Sequence, residues 1–416
     1  MTAQVVGSVA DGVVAGLLGA GFNGGIWLPG SAEYDVQRQS VIPTVDSRPV
    51  VAAEAYGRTD VQAVVRTARE YGVPVAVQAT GHGTRVPADG GILLKTTSMS
   101  SVLVDPERRI AKVGPGARWG AVLDAAREFG LAPLSGSHRD VGVTGYTLGG
   151  GVGWLARKYG FAADSVIRAE IVTADGRFVT ASAEQHPDLF WAIRGGTGNF
   201  GIVTSLEFRL YPVRQVHAGI VYYGADHAAA ILRRYRDWTS TIPNELSTAV
   251  VLTKDDGVAI KVMYAGAADV AEHLLKPLFE VAGPRLAGEL RTIEYADAAM
   301  GGTPARHLDF LDELSDDLID TLTAADATVE IRHWGGAMAH PGPGAGPVGH
   351  RSASYSLIVD REQPHLPSSG RTFVNFLGDP SKADTAYAPE DLRRLREVKR
   401  AYDPTNFFHL NANIRP

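Results

Sequence analysis

The sequence predicts an α+β fold in two domains, and three observations carry that expectation. At 416 residues the chain exceeds what one ordinary hydrophobic core supports. Residues 213 to about 376 alternate short strands with helices at a spacing that suits an antiparallel sheet with helices on one face. Before them, Gly136–Gly160 (GSHRDVGVTGYTLGGGVGWLARKYG) holds eight glycines, three of them consecutive. Glycine turns at positive φ and lets backbone approach a ligand with no Cβ in the way. N–H groups exposed by such loops form anion-binding concavities, so this stretch reads as chain wrapping something flat and phosphorylated.

Composition narrows the function. Apolar residues at 45% and charged residues at 21% are those of a globular protein in water. A net charge of −6 leaves no electrostatic footprint for nucleic acid. The chain has no cysteine, which excludes disulfides, thiolate nucleophiles and cysteine-ligated metals. The apolar N-terminus, MTAQVVGSVADGVVAGLLGAGF, lacks a basic region and carries Asp11, so we read it as a packed amphipathic helix rather than a signal peptide. No apolar run reaches the length of a membrane span, and the cytoplasm is the expected location. Nothing suggests a metal site, and oligomeric state leaves no sequence signal.

In chain order, Val50–Tyr56 reads as a strand. Thr59 and Asp60 offer N-cap chemistry to a helix with Val61, Val64, Val65 and Ala68 at helical spacing, and Gly72 stops it. Val73–Gln78 is a second strand, completing a β-α-β unit that runs into Ala79-Thr80-Gly81-His82-Gly83-Thr84. Further elements are a strand at Gly91–Thr96, a hairpin through Asp105-Pro106, a helix at Trp119–Phe129 ending at Gly130, and a hairpin from Ala169 to Ala181 turning at Asp175-Gly176. Gly196-x-Gly198-x-x-Gly201 is a literal dinucleotide fingerprint, but Ile202–Leu210 alternates as a strand. The Rossmann reading needs a helix there, so we reject it. After Tyr211-Pro212 strands are expected at 220–223, 248–253, 259–264, 328–333 and 353–360, with helices at 228–238 and 270–279. Gly335–Gly349 reads as a long mobile loop, and a helix at Pro389–Tyr402 precedes the tail.

Four segments, in this order, resemble the berberine-bridge branch of the vanillyl-alcohol oxidase superfamily of FAD-linked oxidases. They are VPVAVQATGHGT at 73–84, the 136–160 stretch, LFWAIRGGTGNFGIVTSLEF at 189–208 and YDPTNFFHLNANI at 402–414. The 136–160 stretch is especially similar to that of bacterial 6-hydroxy-D-nicotine oxidases, which also place histidine where plant members have cysteine. The resemblance implies a split FAD-binding domain, residues 1–212 with 377–416, around an antiparallel substrate cap at 213–376. It implies FAD linked covalently through His82, in the family's Gly-His motif, and a neutral imidazole leaving a glycine turn is a suitable nucleophile. It assigns to FAD Gln78, Ala79, Thr80, Gly81, Gly83 and Thr84 around that histidine. From the glycine stretch it adds Ser137, His138, Gly142, Val143, Thr144, Gly145, Gly149, Gly150, Gly153 and Trp154. Asp164, Gly201, Ile202 and Val203 would lie by adenine and ribose, and Asn411 and Asn413 at the flavin edge. Two departures stand out: Thr80 replaces a glycine of the motif, and His138 replaces the cysteine that attaches flavin a second time in many relatives.

The chemistry implied is hydride loss from a small organic substrate, an alkaloid-like amine or alcohol or another secondary metabolite, to flavin N5 and on to O2, giving H2O2. The family's usual tyrosine base, in a Tyr-x-Asn pattern on a late strand, is Phe373 here, with Asn375 in the asparagine position. Candidates for catalysis are therefore Asn375, Tyr355, Tyr146 and His138, with Glu330 and His333 as further choices. An amine whose own lone pair assists hydride loss needs no dedicated base. A dehydrogenase with another acceptor, and a non-redox cyclase or drug-binding protein that keeps FAD as scaffold, stay open.

Overall fold

The computed structural model describes residues 3–416 except 254–256, 362, 364 and 367, and the side chains of residues 3–8 lie outside the description as well. Among the described residues there are three sheets. The first has four strands in the order Gly25–Trp27, Val51–Glu54, Ile92–Lys95 and Val75–Gln78, the last three parallel. The two strands of the β-α-β unit are thus not neighbours, because Ile92–Lys95 inserts between them. Helix Arg58–Tyr71 ends on Gly72 at φ 64, as its sequence predicts. Its start differs from expectation. Gly57 is the N-cap, and Asp60 reaches back from the first turn to accept from Tyr56 N (2.8 Å) and Asn23 N (2.9 Å).

The second sheet is antiparallel and follows the order 102–105, 110–113, 202–209, 166–172 and 178–182. Ile202–Arg209 is therefore a strand, as the rejection of a dinucleotide fold requires.

The third sheet is antiparallel with seven strands: Ala287–Glu294, Gln215–Tyr223, Gly257–Tyr264, Leu246–Thr253, Val329–His333, Tyr355–Val359 and His307–Leu311. Its alternation decides what faces where. Val250, Ile260, Val329, Ile331 and Leu357 pack under Ile231, Leu232, Leu275 and Ile319 of helices Ala228–Thr239, Ala268–Phe279 and Asp316–Thr323. Lys261, Glu330, Arg332 and Ile358 take the alternate positions and point to the other face. The strands at 287–294 and 307–311 and the helix at 316–323 are absent from the sequence reading. The segment 372–376, expected as a strand, is an irregular stretch ending in the 3₁₀ turn Val374–Phe376. The Gly335–Gly349 loop is tied down rather than free: Met338 and Val348 are buried, and Arg194 donates to Gly344 O. No helix among the described residues is long and apolar enough to cross a membrane.

The tail is docked by a buried charge. Lys399, wholly buried on helix Pro389–Tyr402, donates to Asp403 Oδ2 at 2.6 Å, Asn199 O at 2.7 Å and Phe408 O at 3.1 Å. Asp403 in turn accepts from Phe407 N and Phe408 N, while Asn199 bonds Ala412 O and Ile414 N. Lys399→Met leaves Asp403 buried without its cation and is expected to cost about 3–5 kcal/mol in urea unfolding. Lys276→Ala removes an exposed pair with Glu280 and should cost less than ~1 kcal/mol. Equal losses would contradict this account of the tail.

Candidate active site

A cavity of about 750 Å³ runs from the end of strand Val75–Gln78, past the glycine stretch and the C-terminal tail, to the face of the seven-stranded sheet opposite its helices. That volume lies within the roughly 300–1,000 Å³ usual for small-molecule sites. Nine of its lining residues are glycines. A Cβ built on Gly83, Gly145 or Gly198, all of which line the cavity, meets no protein atom within 4 Å. Packing does not demand glycine at these positions, and the space they leave is the cavity itself. Gly81 is different: it turns the chain at φ 80, which only glycine adopts freely.

Helix Val143–Leu148 begins at Gly142 with no side-chain cap. Val143 N donates to Ala117 O at 2.9 Å, and the N–H groups of Thr144 and Gly145 are left without intrahelical acceptors and favour an anion. Five buried polar atoms of lining residues, Thr96 Oγ1, Thr144 Oγ1, the Tyr146 hydroxyl, Arg332 Nε and Asn411 Oδ1, have no partner among the described residues. Such atoms are costly unless something hydrogen-bonds them.

His82 projects from the Ala79–Thr84 turn, half-buried, with Nδ1 3.1 Å from Thr80 Oγ1 and Nε2 without a hydrogen-bond partner among the described residues. Burial first, then the proximity of His138 and Arg118, lowers its pKa below 6.5, so the ring is neutral at pH 7. Thr80 also packs on Gly142, where a Cβ would come within 3.1 Å of its Oγ1. The threonine in place of the motif's glycine thus fits by standing over a second glycine. The largely exposed His138 ring lies 6.3 Å from that of His82, centroid to centroid.

Of the residues assigned to a cofactor, Gln78, Ala79, Thr80, Gly81, His82, Gly83, Thr84, Ser137, His138, Gly142, Thr144, Gly145, Gly149, Gly201, Ile202, Val203 and Asn411 line the cavity. The structure does not bring the others to it. Val143 is a core side chain. Gly150 and Gly153 are needed for chain packing, since a Cβ would sit 3.0 Å from Phe373 and 2.0 Å from Ser135 O respectively. Trp154 is buried and donates to Ser137 Oγ. Asp164 is spent on Arg351 (2.7 and 2.9 Å) and Phe161 N. Asn413 stands outside the lining.

The catalytic candidates change more. Tyr355 and His333 pair across adjacent strands on the helix-covered face, away from the cavity. The Tyr355 hydroxyl is engaged by Thr239 Oγ1 at 2.6 Å. His333 contacts Arg157, and burial, then that cation, hold its pKa at about 3. Tyr146 lines the cavity, but its ring is wedged where Cβ atoms on Gly136 and Gly151 would come within 3.0 and 2.4 Å. Burial raises its pKa well above 10, so it packs rather than acts as a base. Asn375 also lines the cavity, yet Nδ2 donates to Tyr146 O (3.0 Å) and Oδ1 accepts from Gly151 N (2.9 Å). It positions the triple-glycine loop. Phe373 is buried against Phe161 and Trp334. Glu330 is wholly buried: desolvation pushes its carboxyl up, but Arg332 and Lys261 together outweigh that and hold it at about 2. It is a fixed anion, too weak a base to take a proton. Arg332, Thr303 and Arg85 also line the cavity, although no sequence motif marks them. The Glu-x-Arg spacing on one strand was the available signal.

A glycine-lined cavity with an uncapped helix start and a neutral imidazole is suited to a flat, phosphorylated cofactor. Comparison with known proteins agrees. A family model described as FAD binding domain matches residues 49–182, and one described as berberine and berberine like matches residues 372–415. The chain is 30% identical to (R)-6-hydroxynicotine oxidase of Paenarthrobacter nicotinovorans, over 89% of this chain and 92% of that protein. It is 26% identical to xylooligosaccharide oxidase of Thermothelomyces thermophilus, over 88% and 87%. Its fold is similar to that of 6-hydroxy-D-nicotine oxidase from Arthrobacter nicotinovorans, with TM-score 0.84, 26% identity, and 95% and 99% of the two chains covered. A glucooligosaccharide oxidase from Acremonium strictum, studied for its 6-S-cysteinyl, 8α-N1-histidyl FAD, shares the fold at TM-score 0.82 and 22% identity, over 95% and 97%. The chain belongs to the berberine-bridge-like family of FAD-linked oxidoreductases in the vanillyl-alcohol oxidase superfamily. It is an FAD-dependent oxidoreductase.

Two outcomes follow from this geometry. Gly145→Val adds a branched side chain at a position whose Cβ meets no protein atom within 4 Å, so the variant should fold with an unchanged circular dichroism spectrum yet purify colourless. A yellow variant with full flavin content would contradict the cradle. Because the folded pKa of His333 is about 3 against an ordinary 6.5, the unfolded chain binds more protons between those values. Stability should be fully present above pH 6.5 and fall on acidification toward pH 3. His333→Gln should flatten that fall in urea midpoints, and parallel curves would refute the assignment.

Proposed function

We propose that the protein is an oxidase of a small organic molecule, with FAD attached through His82 and O2 as the acceptor, yielding H2O2. The observation that carries this reading is the neutral His82 imidazole, its Nε2 without a partner among the described residues, at the mouth of a glycine turn in a glycine-lined cavity. The N–H groups of Ala79–Gly83 and of Thr144 and Gly145 would hold the pyrophosphate, and Asn411 Oδ1 would meet the flavin edge. Bound FAD supplies a two-electron acceptor facing the substrate. The division into residues 1–212 with 377–416 as FAD domain and 213–376 as cap belongs to the same proposal, supported by sheets that each stay within one segment. So does a cytoplasmic location.

The chain's residues favour an amine over an alcohol. Tyr355 faces the wrong side of its sheet, Tyr146 stays protonated and Glu330 is a weak base, so none is suited to strip a hydroxyl proton. An amine needs no such base. The relatives named as 6-hydroxynicotine and oligosaccharide oxidases support both an organic substrate and O2 as acceptor.

The test is anaerobic mixing of the purified protein with a panel of aromatic amines and alcohols, (R)-6-hydroxynicotine among them. At least one amine should bleach the flavin band, and admitted air should restore it with one equivalent of peroxide. Bleaching that air does not reverse would favour a dehydrogenase. A flavin that no compound bleaches would overturn the redox reading in favour of a cyclase or binding protein.

A further inference from the structure

We propose that Arg332 forms an anion subsite in the cavity, so that the substrate carries a carboxylate. This names the substrate class of the same site and rests on the flavoenzyme reading.

The sheet brings the charges together. Arg332 and Glu330 share a face of strand Val329–His333, and the register Arg332↔Ala249↔Lys261 sets Lys261 two strands away on that face. Glu330 is saturated: Oε1 accepts from Arg332 Nη2 at 2.8 Å, and Oε2 accepts from Lys261 Nζ and Thr303 Oγ1, each at 3.0 Å. Two cations therefore surround one carboxylate, and the cluster keeps a net positive charge. Arginine cannot shed that charge by deprotonating.

Arg332 is also incompletely used. It is 9% exposed, and its Nε has no hydrogen-bond partner among the described residues. One of its N–H groups serves Glu330. The guanidinium carbon lies 4.5 Å from the centroid of the Trp154 ring, a cation–π contact. Nε is itself buried and one N–H serves Glu330, so it is the remaining terminal N–H groups of the guanidinium that Arg332 offers at the cavity wall, where a carboxylate is the matching partner. Among the described residues lining the cavity, the charged side chains are Arg85, Arg332 and Glu330, beside the imidazoles of His82 and His138. Glu330 is the single anion there and is already neutralised, so no lining group competes for Arg332. The cofactor itself is the competing occupant. The phosphate cradle lies at Ala79–Gly83 and Gly142–Gly145, on elements other than this sheet.

Benzoate and its uncharged isostere benzamide, titrated by calorimetry into the flavin-loaded protein, test the proposal. Benzoate should bind, with benzamide about tenfold or more weaker, as expected for losing a charge-assisted pair. Arg332→Gln should abolish the preference at unchanged flavin content, and Arg332→Lys should retain part of it. Equal binding of the two probes to the unmodified protein, no binding of benzoate, or a preference that survives in Arg332→Gln would each overturn the subsite. Loss of flavin in Arg332→Gln with the benzoate preference intact would assign the arginine to the cofactor. The two readings fail separately: a flavin-free protein that still prefers benzoate refutes the flavoenzyme and keeps the anion subsite, whereas a flavin-loaded protein indifferent to charge does the reverse.

Discussion

The side-chain amide of Asn375 is the contact on which the shape of the site depends. It accepts from Gly151 N and donates to Tyr146 O, clamping both ends of the turn that carries the consecutive glycines. The clamp exists because residue 149 has no Cβ; one built there would lie 2.4 Å from Asn375 Nδ2. From that fixed turn follow the wedged ring of Tyr146, the course of helix Val143–Leu148 and the backbone wall facing the cavity. An amide that satisfies two backbone groups at once is worth more as a scaffold than as a substrate ligand.

A second constraint is the two-residue period of the large sheet. It places Glu330 and Arg332 toward the cavity and His333 and Tyr355 under the helices. The same period surrounds Glu330 with cations, so its charge is permanent and its basicity low. The cavity is therefore chemically asymmetric. One wall is glycine backbone suited to phosphate and a flat ring, and the other carries fixed charge suited to orienting a substrate. The docked tail brings Asn411 and Ala412 to the same space through the buried Lys399–Asp403 pair.

Much of this was legible in the sequence where local chemistry decides. The glycine stretch, the Gly81-His82 turn, the hairpin at Asp175-Gly176 and the strand after Gly201 follow from backbone preferences that act over a few residues. Their order carried the family. What could not be read depends on which face of an element is buried. Tyr355 ranked ahead of Glu330 as a candidate until the register assigned them opposite faces. Asn375 looked like a ligand because its two partners lie more than 220 residues away in sequence. Arg332 was passed over because a Glu-x-Arg strand also describes an ordinary solvated edge. Strand Ala287–Glu294 escaped notice because it is a largely exposed edge strand, with little apolar alternation to betray it.

The central claim is that this turn and cavity hold FAD by a bond to His82, and peptide mapping tests it most directly. Tryptic cleavage after Arg69 and Arg85 releases Glu70–Arg85, which contains His82 and no internal lysine or arginine. The account predicts that this peptide carries the mass of FAD in the purified protein and loses it in His82→Ala. Recovery of the unmodified peptide from a yellow protein, with free FAD in solution, would contradict it.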